Sequence, residues 1–388
     1  MRIFVLGAGA TGSLLALQLA KQGHDVWCGD RDPERARKFL GKKSPIRIEK
    51  VNARNLWAIV RAARKCQLLI NASPAVFNQI VMRAALRIGA HYLDMAAHLG
   101  KNPFKAEHFA FAERFERRGR AAVCTAGVAP GLTNLLVKRS SEMMDKVEWA
   151  HVYLLEESES EDPISQWSAE ESFNEAVARP RVYREGKFLF GKRFGEREKF
   201  RFAAPIGEVG VVLAAQDEVT TVPHFVPLRE MYVKIGGNEI DRLRRWYRQG
   251  RLSKARGAVS KRFPKTPTPR LVARLIRTGV LHNARFAIAV VVRGERRERP
   301  IEIRWDVSFP SLYQIRRRGM FNTPVAYATA HMAALFVKYF PREEAGVFAP
   351  ESLPLELRRG ILADAKARGI EFRVRSKYLK VTEEEEEL

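Results

Sequence analysis

The stretch RIFVLGAGATGSLLALQLAKQGHDVWCGDRD (Arg2–Asp32) runs from an apolar strand through a glycine turn into an amphipathic helix, then into a second strand ending in an acid. Gly7, Gly9 and Gly12 stand in G-x-G-x-x-G spacing between the first strand and the helix. Gly7 permits the tight turn, Gly9 lets backbone approach a pyrophosphate, and Gly12 lets helix and strand pack closely. Ala10 and Thr11 complete the helix N-terminus, whose amides suit phosphate oxygens. Asp30 follows Gly12 by 18 residues, at the end of the second strand. That setting, more than the glycines alone, predicts a dinucleotide site.

Asp30 can accept hydrogen bonds from the adenosine ribose hydroxyls. A 2′-phosphate ~5 Å from it would be repelled by about 3 kcal/mol at an effective dielectric near ~20. NAD is therefore preferred over NADP, although Arg31 next door could offset a 2′-phosphate or stack on adenine. Ligands of such sheets lie at the carboxyl ends of the strands. Asn52, ending the third strand, is placed for adenine, and Ala72, Ser73 and Pro74, after the fourth, border the nicotinamide ribose.

Six strands alternate with helices through residue 135, beginning with RIFVL, DVWCG, IRIEKV, QLLIN, AHYLD and RAAVC. Alternation of this kind predicts a parallel sheet covered on both faces, a doubly wound α/β (Rossmann-type) domain over residues 1–135. The rhythm then changes. PRVYREGKFLFGKR reads as a hairpin around Gly186, and FAIAVVVRGERRERPIEIRWDVS as another. In the second, Ile301, Ile303, Trp305 and Val307 alternate with Glu302, Arg304 and Asp306, the pattern of an antiparallel sheet with one wet face. Residues 136–322 thus form an α+β substrate and dimerisation domain with a mostly antiparallel sheet. Residues 323–388 read as helices with an acidic tail at 383–388.

The 388 residues carry a formal charge of +24, and 13 Lys or Arg with no acid lie between Arg242 and Arg277. This stretch reads mainly as a solvated helical face, with nucleic-acid binding as the sharper alternative. No apolar run approaches the roughly 18 residues of a membrane helix, and no signal-peptide core precedes the first strand. Three scattered cysteines fit a reducing cytoplasm. The eight histidines show no ligand spacing, so no catalytic metal is expected.

GAGATG, INASPAVFNQIVMRAALRIGAHYLDMA, AGVAPGLTNLL and the late TPVAYATAHMAALF…GVFAPESL…AKARGIEF together resemble the saccharopine dehydrogenase family. That group includes saccharopine reductases, lysine 6-dehydrogenases and carboxynorspermidine dehydrogenases. QWSAEESFNEAVARPRVYREGKF is similar to the lysine 6-dehydrogenase-like segment with a Trp-Ser pair, and DEVTTVPHF to the family's Thr-Val-Pro stretch. The resemblance implies an NAD- or NADP-dependent oxidoreductase acting on a C–N bond of an amino acid or polyamine derivative. It also implies a homodimer, and C-terminal helices that return to the nucleotide domain. A lysine 6-dehydrogenase or saccharopine dehydrogenase activity leads, with a carboxynorspermidine-type reductase next. A non-catalytic redox sensor whose basic stretch binds nucleic acid is the competing class.

Oxidising an amine requires its deprotonation, and the reverse reaction requires an acid near nitrogen. Asp94, ending the fifth strand, is the first candidate, with His98 as a shuttle and Cys124, ending the sixth strand, as a contact. In VEWAHVYLLEE, His151, Tyr153 and Leu155 share one face and Val152, Leu154 and Glu156 the other, and one face is expected to line a cleft. Arg179, Arg181 and His224 are candidate carboxylate binders. The second glycine turn, AAVCTAGVAPGLTNLL (Ala121–Leu136), lacks the phosphate-binding spacing. It is read as the floor of the reaction site, with Gly127 and Gly131 allowing close backbone and Thr133 and Asn134 facing substrate.

Overall fold

A computed structural model describes residues 1–98, 102–252 and 264–379. The basic stretch from Arg242 to Arg277 therefore lies partly, and the acidic tail wholly, outside the described residues. The first part of the chain runs β1 (Arg2–Leu6), α1 (Ala10–Lys21), β2 (Asp25–Asp30), α2 (Pro33–Leu40), β3 (Ile48–Lys50) and α3 (Leu56–Ala63). It continues through β4 (Leu68–Asn71), α4 (Asn78–Ile88), β5 (His91–Asp94), α5 (Ala112–Arg117), β6 (Ala121–Val123) and α6 (Leu132–Ser141). The second part contains β7 (Lys146–Ser160), α7 (Ala169–Val177), β8 (Arg181–Arg184), β9 (Lys187–Phe190), β10 (Glu198–Phe202) and β11 (Gly207–Leu213). Then come α8 (Val222–Phe225), β12 (Glu230–Gly236), α9 (Asn238–Arg248), α10 (Pro269–Arg277), β13 (Leu281–Arg296) and β14 (Arg299–Ser308). The chain closes with α11 (Leu312–Arg317), α12 (Pro324–Lys338), β15 (Gly346–Phe348), α13 (Leu355–Ala367) and β16 (Glu371–Tyr378).

The first sheet has seven strands in the order β15-β6-β5-β4-β1-β2-β3, all pairs parallel. The order reverses at β1, so the carboxyl ends of β1 and β4 diverge around a crevice. β1 is apolar on both faces because both are covered. Ile3 and Val5 pack into one buried cluster, and Phe4 and Leu6 into a second with Tyr92 and Phe115.

The second sheet is mixed and mostly antiparallel, in the order β10-β11-β12-β7-β13-β14-β16, with β8 and β9 attached beside β12. Its spine is the long pair β7–β13, in register through Val152↔Val290. The β7–β12 pair is the parallel exception. The β8–β9 hairpin turns at Glu185 and Gly186, both at positive φ (48° and 77°). Val152, Leu154, Ile288 and Val290 pack into the same cluster as Leu132, Leu135 and Leu136 of α6, so one apolar core continues from the first sheet to the second. Tyr153, Leu155, Val211 and Ala287 fill the opposite face.

The expectation of helices alone over residues 323–388 needs correction. α12 packs against α1, but β15 joins the first sheet beside β6 and β16 joins the second beside β14. The alternation read in β14 is also incomplete. Asp306, expected on the wet face, is 4 % exposed because Arg304 and Arg375 both hydrogen-bond it.

Candidate functional site

The cofactor turn is built by steric necessity. Gly7 has φ +97°, and a Cβ there would lie 2.6 Å from the backbone of Ala72 and Ser73. A Cβ on Gly12 would sit 2.0 Å from the carbonyl oxygen of Gly7. Gly9 differs: nothing lies within 4 Å of its Cβ position. It is also the N-cap of α1 and has no side-chain cap, which leaves first-turn amides facing a cleft. Asp30 Oδ2 accepts from the Ala8 amide at 2.9 Å and Oδ1 from the Asp32 amide at 3.0 Å, so each oxygen keeps capacity for a further donor.

These parts line a single cleft of about 490 Å³. Gly7, Gly9, Ala10, Thr11, Gly12, Asp30, Arg31, Asn52, Ala72, Ser73 and Pro74 all border it, as do Arg35, Arg54 and Lys265, which the sequence reading did not single out. Asn71 fixes the loop after β4 by accepting from the Ser73 amide and hydroxyl. The open cradle at Gly9, the uncapped helix and the buried carboxylate at the ribose position fit a dinucleotide.

The cleft opens into a cavity of about 160 Å³ between the domains. Thr11, Ala72, Ser73, Pro74, Trp167 and Ser168 line both spaces. Five carboxylates border the cavity: Asp94, Glu156, Glu171, Glu175 and Asp217. No Lys, Arg or His does so among the described residues. Burial pushes Glu156 up to about 8, with the charge of Glu239 adding to the effect. It pushes Glu171 up to about 7, with Glu170 adding, and holds Glu175 well above the usual carboxylate range. Of the two faces of β7, the one carrying Leu154 and Glu156 meets the cavity. His151 lies on the other, stacked between Trp149 and Tyr232 and bonded to Glu230 at 2.9 Å.

Asp94 does line the cavity, but three donors already hold its carboxylate. Tyr92 donates its hydroxyl at 2.6 Å and His108 bonds through Nε2 at 2.5 Å, both to Oδ2, while the Thr125 amide donates to Oδ1 at 2.8 Å. His108 is fully buried. Burial opposes its charge, yet the Asp94 carboxylate lifts it to about 9. Nothing in the local sequence marks His108, which lies in the 3₁₀ turn Glu107–Phe111 and meets Asp94 only through the fold.

Several expected site residues lie elsewhere. His98 is exposed, and its amide donates to Glu107. Cys124 is fully buried, does not border the cavity, and burial raises its thiol far above the ordinary value. Arg179 is exposed over the Phe190 ring, and His224 is exposed and bonded to the Phe104 carbonyl. Arg181 is buried but committed: it bonds the carbonyls of Ala215 and Gln216 and pairs with Asp217 at 3.2 Å.

The second glycine turn divides its work. Val128, Ala129 and Pro130 border the cavity, whereas Gly131, Thr133 and Asn134 do not. Gly131, at φ +130°, is required because a Cβ would lie 2.1 Å from the Gly127 carbonyl oxygen. Thr133 donates to Glu218 at 2.7 Å, and Asn134 to Thr221 and Glu351 at 2.9 and 3.0 Å. Those two side chains are committed to partners from distant segments and not to the cavity.

Residues 3–124 match the saccharopine dehydrogenase NADP binding domain family. The first domain is a member of that NADP binding domain family. The fold of the whole chain is similar to that of apo saccharopine dehydrogenase (L-Glu forming) from Saccharomyces cerevisiae. The TM-score is 0.68 at 11% identity, covering 97% of this chain and 99% of that one. A probable dehydrogenase from Thermotoga maritima (TM-score 0.44, 10% identity, 97% and 98% covered) is a looser likeness. The matched family is a dinucleotide-binding one, in agreement with the geometry of the cleft. No described helix is long and apolar enough to cross a membrane.

Proposed function

We propose that this protein is an NAD(P)-dependent dehydrogenase that acts on the C–N bond of a cationic amine. The observation that carries the reading is the lining of the cavity at the nicotinamide end of the cleft. A chain with 68 Lys and Arg puts none of them there among the described residues, and puts five carboxylates there instead. Desolvating carboxylates together is costly unless a cation offsets them. An ammonium group is such a cation. When bound, the nicotinamide would supply the hydride acceptor or donor. The protein's own tasks are to hold the amine, exclude water and move its proton.

The same lining favours an amine-rich substrate over a simple α-amino acid. A carboxylate calls for a fixed bidentate cation, and Arg179, Arg181 and His224 are all turned to other partners. Within the family's range, a diamine- or polyamine-derived substrate therefore suits the cavity better than lysine or saccharopine. Asp94, locked by three donors, serves in this proposal as a fixed anion facing the cation.

For the cofactor, Asp30 favours the free ribose hydroxyl of NAD, while Arg31, Arg35 and Arg54 line the same cleft. NAD is expected to lead by no more than about tenfold, since the opposing charges nearly cancel. The test is dinucleotide reduction over a panel of diamines, polyamines, lysine and saccharopine, with each cofactor. Turnover confined to the carboxylate-bearing members would reject the amine reading. Turnover with none, alongside a salt-dependent shift of nucleic acid, would favour the redox-sensor alternative.

A further inference from the structure

The five cavity carboxylates are not equivalent, and their surroundings sort them. Asp94 accepts from three donors, as described above. Asp217 accepts from the Ala97 amide at 2.9 Å and pairs with Arg181. Glu175 accepts from the Gln216 amide group at 3.0 Å. These three are held by backbone amides or buried side chains, which fix the direction of their oxygens and leave less capacity for a substrate donor. Glu156 and Glu171 remain.

Position separates these two. Glu156 borders both the cavity and a second pocket, which it shares with Glu239, Phe194 and Leu243, none of which lines the cofactor cleft. Glu171 lies in the first turn of α7, the turn that straddles the cofactor boundary. Trp167 and Ser168 line both spaces, Glu170 borders the cofactor cleft, and Glu171 borders the cavity. Ser168 caps α7 by accepting from the Glu171 amide, so the cap uses Glu171's backbone and not its carboxylate. The exposed Asn174, one turn along, is the hydrogen-bonding neighbour of its carboxylate.

Resting on the amine reading above, we infer that Glu171 is the residue that takes the proton from the substrate ammonium. One N–H bond of the ammonium breaks and its electron pair stays on nitrogen. An O–H bond forms on Glu171, and the proton later leaves to solvent. The retained pair is what the C–N bond requires to gain double-bond character as hydride leaves carbon. In the reverse direction the protonated Glu171 returns the proton to nitrogen.

Burial, the neighbouring charge of Glu170 and the more distant Asp217 bring Glu171 to about 7, where a general base works near neutral pH. Lys265 borders the cofactor cleft with Glu170, as do Arg31, Arg35 and Arg54, and Glu156 and Glu175 face the same cavity as Glu171.

The test compares Glu171→Gln, Glu171→Asp and Glu156→Gln. Glu171→Gln is expected to lower kcat about 10²–10⁴-fold and to abolish the rise of kcat with pH up to about 7. Glu171→Asp should restore part of the rate with the pH limb present. Glu156→Gln should act mainly on KM and keep the limb. A Glu171→Gln enzyme with kcat within threefold and an unchanged pH profile overturns the assignment, as does loss of the limb in Glu156→Gln alone.

A second readout needs no turnover: calorimetry of 1,4-diaminobutane binding to the cofactor-free full-length protein at pH 6.5, in buffers of different ionisation enthalpy. The wild type should release protons as the diamine displaces them from the cavity, and Glu171→Gln should release fewer. Equal release from both proteins rejects the role of Glu171. Absence of diamine binding by the wild type rejects the amine reading itself, which is a different failure.

Discussion

Two halves of one continuous groove carry opposite charge. The cofactor cleft is bordered by Arg31, Arg35, Arg54 and Lys265 against Asp30 and Glu170, whereas the cavity beyond it has five carboxylates and no described base. The boundary runs through Thr11, Ala72, Ser73, Pro74, Trp167 and Ser168, small or uncharged groups shared by both. On the proposed function, a dinucleotide would bring anionic phosphates to the first half, and an amine positive charge to the second. The contrast shows that charge recognition here is local. The net charge of +24 describes the surface and says nothing of the cavity.

The largest effect is expected on the positive half. Gly12→Ala places a Cβ 2.0 Å from the Gly7 carbonyl oxygen, and should abolish dinucleotide binding together with the native turn. Gly9→Ala meets open space in the protein itself, so its melting temperature should stay close to wild type. It should nonetheless cost about 10–100-fold in dinucleotide affinity, roughly 1.4–2.7 kcal/mol, because the methyl group occupies the phosphate's place. Fluorescence titration with NADH checks this, and unchanged affinity would break the reading of the cradle.

Next comes reversal of charge in the negative half. Glu175→Lys should weaken diamine binding about 100-fold while leaving dinucleotide affinity within threefold. A parallel loss of both, measured by the two titrations, would mean that the halves are not independent. A smaller change is expected at Asp30→Asn, which removes the repulsion of a 2′-phosphate and leaves Arg31, Arg35 and Arg54 in place. The ratio of kcat/KM for NADP over NAD should rise by about tenfold, and a fall would place Asp30 away from the ribose.

The smallest effect concerns stability. Burial pushes the fully buried Glu218 and Glu351 up to about 7 from 4.5, and each has one oxygen without a donor. The folded protein then binds more protons than the unfolded chain between those values. The penalty is absent below about pH 4.5 and complete above pH 7, so stability falls as pH rises through this window. Glu218→Gln should remove part of that decline, on the order of 1–3 kcal/mol. Melting scans at pH 5.5 and 8 measure it, and an identical decline in the variant would sink the account.

The legibility of the two halves differed for a physical reason. The positive half is assembled from strand-turn-helix units in which glycine spacing, strand ends and the acid at Asp30 are close in sequence. Every cofactor residue named from the sequence borders the cleft. The negative half draws on β5, β7, α7 and the Gln216–Asp217 corner, which meet only after the second sheet has formed. Exposed-looking glutamates conceal such a site, yet two signals were present. Glu156 interrupts the apolar face of β7 formed with Val152 and Leu154, and Glu171 and Glu175 repeat one charge at i,i+4, a destabilising pair on an ordinary solvated helix. Thr133 and Asn134 misled for the opposite reason: polar residues after a glycine turn look like ligand contacts, but Glu218 and Glu351 approach them from distant segments.

The path of the chain between the two sheets bears on how the groove can open. It passes from β6 to β7, returns from β14 to β15, and leaves again from β15 to β16. A joint made of three strands of chain allows fewer relative movements than a single linker. Sliding one domain past the other would strain all three crossings at once and break the apolar core that spans both sheets. The groove therefore lies over a joint that the chain crosses three times and one apolar core spans, which ties its two halves into a single unit.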